Sequence, residues 1–222
     1  MKGEVRGAKC EGGVTLVCFA LKEEAAPFRK LIIGRTDISI LVTGIGKANS
    51  ERALRQFLQT ASPSRVFTCG FAGGLDPKLQ IGDVMFATTD STLTGILMEA
   101  GARIATFTCV DRIATTAFEK QLLRANTQAD AVEMESEAIH AVCQERAIPC
   151  ATVRVISDPA HEDLPLDFNQ LSNPDQSLHF GKLALAIAKS PGKIPELLRL
   201  GRNTKHAAAQ LAATLHRVLA LD

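Results

Sequence analysis

Short apolar runs alternate with segments of helical periodicity along most of this chain, and that alternation constrains the fold more than any other feature. Residues 14–20, 38–43, 65–69, 84–88, 104–110, 131–134 and 151–156 have the length and aliphatic or β-branched character of strands. Between them, 23–31 reads as a helix with Pro27 as its candidate break. Segments 49–58, 116–125 and 136–146 carry apolar residues at helical spacing: Ala53, Leu54, Phe57 and Leu58 in one, Ala138, Ile139, Val142 and Cys143 in another. Residues 89–103 fit neither period, and 159–177 is rich in Pro, Asp and Asn and reads as a loop. Two further helices, 178–189 and 194–219, are expected after it. The rhythm predicts a single α/β domain over 1–222, with a twisted, mostly parallel central sheet flanked by helices.

Such sheets bind ligands beyond the carboxyl ends of their strands, and the polar residues of interest fall there. Glu135 closes one apolar run and opens a helix, and Asp158 closes the next run. Two acids at one edge of neighbouring strands can act on a single small molecule, which favours an enzyme. A carboxylate such as Glu133 or Glu135 can accept from two vicinal hydroxyls; Glu135 could equally favour the positive start of its helix. Asp158 reads as a general acid kept protonated by partial desolvation, or as the partner of Arg154 in a structural ion pair. Glu24, just past the first strand, either orients a water or is an ordinary acidic helix start. The glycines of Gly44-Ile45-Gly46 and Gly70-Phe71-Ala72-Gly73-Gly74 make tight turns or let the backbone approach a ligand. The first set lacks the spacing of a dinucleotide fingerprint or a P-loop.

Several classes are disfavoured. A net charge of +1 supplies no field for nucleic acid or an anionic membrane, and with no Trp or Tyr the chain is poor in base-stacking platforms. The six cysteines form no C-x-x-C and several lie in apolar runs, so they read as reduced thiols of a cytoplasmic protein. The histidines show no metal spacing; His161 beside Glu162 and Asp163 reads as solvated loop, and Arg199, Arg202 and Lys205 as a solvated helix face. The charged start, residues 1–7, has no signal-peptide character, and no apolar run is long enough to span a bilayer.

Five stretches together resemble the nucleoside phosphorylase/nucleosidase superfamily, and most of all its 5′-methylthioadenosine/S-adenosylhomocysteine nucleosidases. They are Ala20-Leu21-Lys22-Glu23-Glu24, Thr43-Gly44-Ile45-Gly46-Lys47-Ala48-Asn49, the glycine-rich Gly70–Gly74 with Ile81-Gly82-Asp83-Val84, Ala131-Val132-Glu133-Met134-Glu135, and Arg154-Val155-Ile156-Ser157-Asp158. The resemblance implies cleavage of the N-glycosidic bond of a purine nucleoside, adenine above other bases, with no cofactor and no metal. Asp158 would protonate N7, Met134 and Glu135 would clamp the ribose, and Glu24 with Arg154 would hold the attacking water. Ile113 and Ala114 would line the base pocket, where the family usually has an aromatic. Phe168 and Leu21 would flank the ribose and its 5′ group, and Gly73 and Phe71 would lie against the substrate.

Two departures accompany the resemblance. The family often has a serine near the nucleophile where this chain has Phe71. The stretch from Asp83 to Asp111 is also shorter than usual, which implies a more open 5′ side. The length and the Gly-Phe-Ala-Gly-Gly loop resemble short members associated with hopanoid biosynthesis, which release adenine from an adenosylated lipid. Arg154, Lys47 and Arg112 could serve phosphate, but Glu24 would repel it, so water is the expected nucleophile and phosphorolysis the alternative. A nucleoside-binding protein without catalysis, its site plugged by Phe71, is the reading of a different class. The superfamily implies a homo-oligomer, expected here as a dimer.

Overall fold

A computed structural model describes residues 13–171, 185 and 190–221. Its strands are β1 (Thr15–Phe19), β2 (Ile38–Val42), β3 (Arg65–Gly74), β4 (Val84–Thr88), β5 (Arg103–Ile104), β6 (Phe107–Cys109), β7 (Ala131–Glu133) and β8 (Cys150–Asp158). The helices are α1 (Lys22–Leu31), α2 (Lys47–Phe57), α3 (Ser91–Glu99), α4 (Ala117–Thr127), α5 (Ser136–Glu145), the single turn α6 (Phe168–Leu171) and the long α7 (Ile194–Val218). The expected N-terminal segment 1–7, Cys10 and nearly all of the expected helix 178–189 lie outside the described residues.

The sheet runs β2-β1-β3-β8-β4-β5, with β7 paired to both β3 and β6. Most pairings are parallel; β4 against β8 and β7 against β3 are antiparallel. The central strands are buried on both faces because helices cover both. Val17 and Phe19 of β1, Phe67 and Cys69 of β3, and Val153 and Val155 of β8 pack with α1, α3 and α7. The alternate residues Leu16, Cys18, Val66 and Cys150 pack with α2 and α5. The period of two read from the sequence therefore sorts each strand between two cores. On the α2–α5 face that pattern turns polar beyond Val66 and Cys150, through Thr68 and Thr152 to Arg154.

Four local expectations are corrected. α1 continues through Pro27, held by the burial of Ala25 and Phe28 and by the Phe19–Phe28 ring contact at 6.0 Å. Residues 89–103 hold a helix, α3, with Asp90 capping it through Leu93 N–H at 2.9 Å. The run 104–110 is divided between β5 and β6. Most consequential, the glycine-rich segment 70–74 is the second half of β3 rather than a turn. It inserts between the strands that carry the two acids, since Gly73 pairs with Val132 of β7 on one side and Asp158 of β8 on the other. β7 and β8 are thus not neighbours, and glycines suit the place because side chains of the site press on both sides of that strand.

Candidate active site

A cavity of about 1040 Å³ opens over the carboxyl ends of β1, β2, β3 and β8. Leu21, Glu24, Phe71, Gly73, Ile113, Ala114, Glu133, Met134, Glu135, Asp158 and Phe168 all line it, so the structure gathers nearly every residue singled out in the sequence. Arg154 is the exception: at 1% exposure it lies behind the wall.

Arg154 organises a buried ionic cluster. Its Nη2 pairs with Glu133 and lies 3.2 Å from Glu135 Oε2. Glu24 belongs to the same cluster electrostatically. Burial would disfavour the guanidinium's charge, but Glu133, Glu135 and Glu24 together hold its ionisation above the ordinary arginine range. The absence of a side chain at Gly70 makes the cluster possible. A Cβ there would sit 2.6 Å from Arg154 Nη1 and 2.8 Å from Glu24 Oε1.

The three carboxylates are held differently. Glu133 accepts from Glu135 N–H at 2.9 Å, Ser136 N–H at 2.8 Å and Ser136 Oγ–H at 2.6 Å, which makes it the acceptor at the start of α5. The helix-start role weighed for Glu135 thus falls to Glu133, whose side chain is fully enclosed. Burial works against its charge, yet Arg154, Ser136 and the two amides bring its ionisation below the ordinary value. Glu135 receives Gly46 N–H on Oε1 at 2.9 Å, so the glycine turn after β2 serves a protein carboxylate. Burial raises its ionisation, opposed by Arg154.

Glu24 accepts Leu21 N–H on Oε2 and Phe71 N–H on Oε1, each at 2.8 Å. It is both a helix-start residue and a bridge from α1 to β3. Burial is the main force pushing it up to about 7; the Phe71 amide opposes this, Glu135 adds to it, and Arg154 and the Leu21 amide oppose it further.

Asp158 stands across a β-bulge. The register passes from Ala72–Ile156 to Gly73–Asp158, so Ser157 is the extra residue. The bulge lets two successive residues, Ser157 and Asp158, face the same cavity. Ser157 Oγ–H donates to Asp158 Oδ1 at 2.7 Å. The ion pair weighed for Asp158 exists with a different partner: Lys120 Nζ lies 2.6 Å from Oδ2, while Arg154 serves the glutamates.

Sequence reasoning also missed Asn169 and the part the last helix takes in the cavity wall. Asn169 takes Ile113 N–H on its Oδ1 at 2.8 Å and gives its own N–H to Ile113 O at 2.9 Å, which fixes the Ile113–Ala114 segment against α6. Leu200 and Thr204 of α7 close one wall. Neither residue type signals a site by itself. Lys47 pairs with Glu137 at 2.6 Å and lies 3.5 Å from Asp111, and Arg112 pairs with Glu119. Arg199, expected on a solvated face, reaches Glu162 at 3.1 Å. Among the described residues no cluster of His, Cys, Asp or Glu could hold a metal ion, and no helix is long and apolar enough to cross a membrane.

Comparison with known proteins agrees with this architecture. The sequence profile of the "Phosphorylase superfamily" matches residues 18–108 and 87–189. The chain is 30% identical over 173 residues to a 5′-methylthioadenosine/S-adenosylhomocysteine nucleosidase of Glaesserella parasuis, covering 62% of this chain and 75% of the relative. It is 24% identical over 167 residues to an aminodeoxyfutalosine nucleosidase of Campylobacter jejuni, covering 60% and 73%. Its fold superposes on the Helicobacter pylori 5′-methylthioadenosine/S-adenosylhomocysteine nucleosidase complexed with butyl-thio-DADMe-Immucillin-A. That match has a TM-score of 0.71 at 18% identity, over 96% of this chain and 100% of the other.

Proposed function

The chain belongs to the phosphorylase superfamily, and on that premise we propose that it is a nucleosidase that hydrolyses the N-glycosidic bond of a purine nucleoside, adenine being the expected base, with a modified 5′ group. The observation that carries this reading is one cavity onto which Glu24, Glu135 and Asp158 all open. Those are three acids with three different environments, as a reaction with three separate demands requires.

Breaking the bond leaves positive charge on the sugar and negative charge on the base. Glu135 receives the 2′- and 3′-hydroxyls on its remaining lone pairs, beside Met134, and its charge favours the oxocarbenium-like sugar. Glu24 takes a proton from water as the water attacks. A carboxylate pushed up to about 7 suits a general base near neutral pH. Asp158 delivers a proton to N7 of the departing base. Arg154 acts through the glutamates, compensating their buried charge from behind the wall.

The pairing of nearby cations supports water over phosphate. Lys47, Arg112 and Arg154 are each engaged by protein carboxylates, and Glu24 would repel an anion. Phe71 packs partly on the core and offers its amide to Glu24, which supports a structural part for it in the site rather than a plug.

The test is release of adenine from 5′-methylthioadenosine and adenosine, followed by absorbance without phosphate, in the parent protein and in Asp158→Asn. The expected loss in the variant is about 10²–10⁴-fold. Formation of ribose 1-phosphate only when phosphate is added would replace hydrolysis by phosphorolysis. Equal rates in both proteins would remove Asp158 from the chemistry.

A further inference from the structure

Lys120 is fully buried on α4 and does not line the cavity. Its ammonium meets three acceptors: Asp158 Oδ2 at 2.6 Å, Pro159 O at 2.8 Å and Glu162 O at 3.0 Å. A lysine is enclosed this way only when its charge is compensated. The same helix leaves Phe118 73% and Leu122 52% exposed. α4 therefore turns a cation inward and two large apolar side chains outward, the reverse of what burial alone would select. With Ser157 Oγ–H on Oδ1, the Asp158 carboxylate is held from both sides while 15% of its side chain stays open.

We propose that Lys120 and Asp158 work as one proton-donating unit, in which the Lys120 ammonium supplies the hydrogen that the Asp158 carboxyl group hands to the departing base. The inference rests on the reading of Asp158 as the acid. The glycosidic bonding pair leaves with the base. A lysine N–H bond breaks as the carboxyl O–H bond forms, and that O–H bond breaks as the base N–H bond forms. Lysine ends as a neutral amine and regains its proton from solvent; nothing is oxidised or reduced. An unassisted aspartic acid keeps its proton only to about pH 4. A lysine ammonium in contact with that carboxyl group carries three hydrogens of its own.

Other charged groups stand around this corner. Glu162 and Asp163 follow β8, and Glu196 and Arg199 come from α7; all four border a small recess shared with Asp158. Arg199 pairs with Glu162, and Glu119, beside Lys120 on α4, pairs with Arg112. Glu24 and Glu135 open on the same main cavity, which Glu133 also lines with its side chain enclosed. All of them are unchanged in a Lys120 variant, so the ratio of variant to parent isolates the pair.

The experiment measures kcat for adenine release from adenosine and 5′-methylthioadenosine between pH 5 and about 9, in the parent, Lys120→Met and Lys120→Arg, with a thermal melt at each pH. In Lys120→Met, kcat is expected to fall about 10²–10⁴-fold at the alkaline end, and the ratio to parent to rise steadily as bulk protons load Asp158 at low pH. Lys120→Arg keeps the charge but does not release its proton below about pH 12, so it is expected to follow the Met variant. A ratio independent of pH, or recovery of the parent profile by arginine, overturns the proposal and leaves Lys120 a positioning or structural residue. If Lys120→Met does not fold, the arginine variant alone decides by the same criterion. Failure of the parent to release any base would instead sink the function proposed above, and this inference with it.

Discussion

The guanidinium of Arg154 holds the Glu135 carboxylate at 3.2 Å from behind the cavity wall. The same guanidinium pairs with Glu133, and Glu24 lies close enough to feel its charge. One buried cation thus compensates the carboxylates proposed to grip the sugar and activate water. A buried ion pair adds little net stability, but removing one partner leaves charge uncompensated.

Arg154→Met should therefore destabilise the fold by about 3–5 kcal/mol. Urea unfolding followed by circular dichroism measures this. Unchanged stability would mean that the carboxylates relax to solvent without their cation.

Glu135→Gln should lower kcat/KM for a ribonucleoside and weaken the preference for it over the 2′-deoxynucleoside, because an amide offers one acceptor oxygen where the carboxylate offers two. Paired kinetics on adenosine and 2′-deoxyadenosine test the assignment. A variant that keeps the full preference would place the ribose elsewhere.

Glu24 should impose opposite pH trends on activity and stability. Acting as a base it must be ionised, so kcat should rise with pH and level off above about 7. At pH 5 only about one molecule in a hundred would carry the charged form. Its native ionisation is raised from 4.5 to about 7, so the folded state holds a proton that the unfolded state has released. The stability from this group is complete below the unfolded value and is lost as pH rises through about 7, by roughly 3 kcal/mol in all. Glu135, also raised by burial, adds to that fall. Glu133, held low despite its burial, acts with opposite sign at lower pH. Denaturation and kinetic profiles over the same range would expose the two trends; a kcat that is flat between pH 5 and about 8 would remove Glu24 as the base.

Gly70→Ala should both destabilise the fold and depress activity. The new methyl would meet Arg154 Nη1 at 2.6 Å and Glu24 Oε1 at 2.8 Å, so the ionic cluster has to move. Overpacking of this kind costs about 1–3 kcal/mol. Retention of parent kinetics and melting temperature would show that the cluster tolerates the shift.

Much of the site was legible because its residues lie in short local motifs. The run ending at Glu135 and the run ending at Asp158 each announce a strand with an acid at its end, and both acids do face one cavity. What the motifs did not show is how the acids are partnered. Asp158 follows an arginine four positions back, yet its ion-pair partner is Lys120; Arg154 turns to Glu133 and Glu135. Lys120 left no local mark, since a lysine in an amphipathic helix ordinarily faces water. Glu133 looked like a ligand-facing strand residue; it lines the cavity and is also the acceptor at the start of α5.

The sequence by itself determined the α/β class, the positions of the central strands and the acids that would collect at their ends. Those features follow from local periodicity and from residues a few positions apart, which a chain carries before it folds. Only the tertiary structure decided that β3 runs on through its glycines between β7 and β8, that a bulge at Ser157 turns Asp158 into the cavity, and that a lysine from α4 meets it there. Those outcomes depend on register and on charges brought together from distant segments, where the cost of burying one charge is met by another that no local pattern identifies.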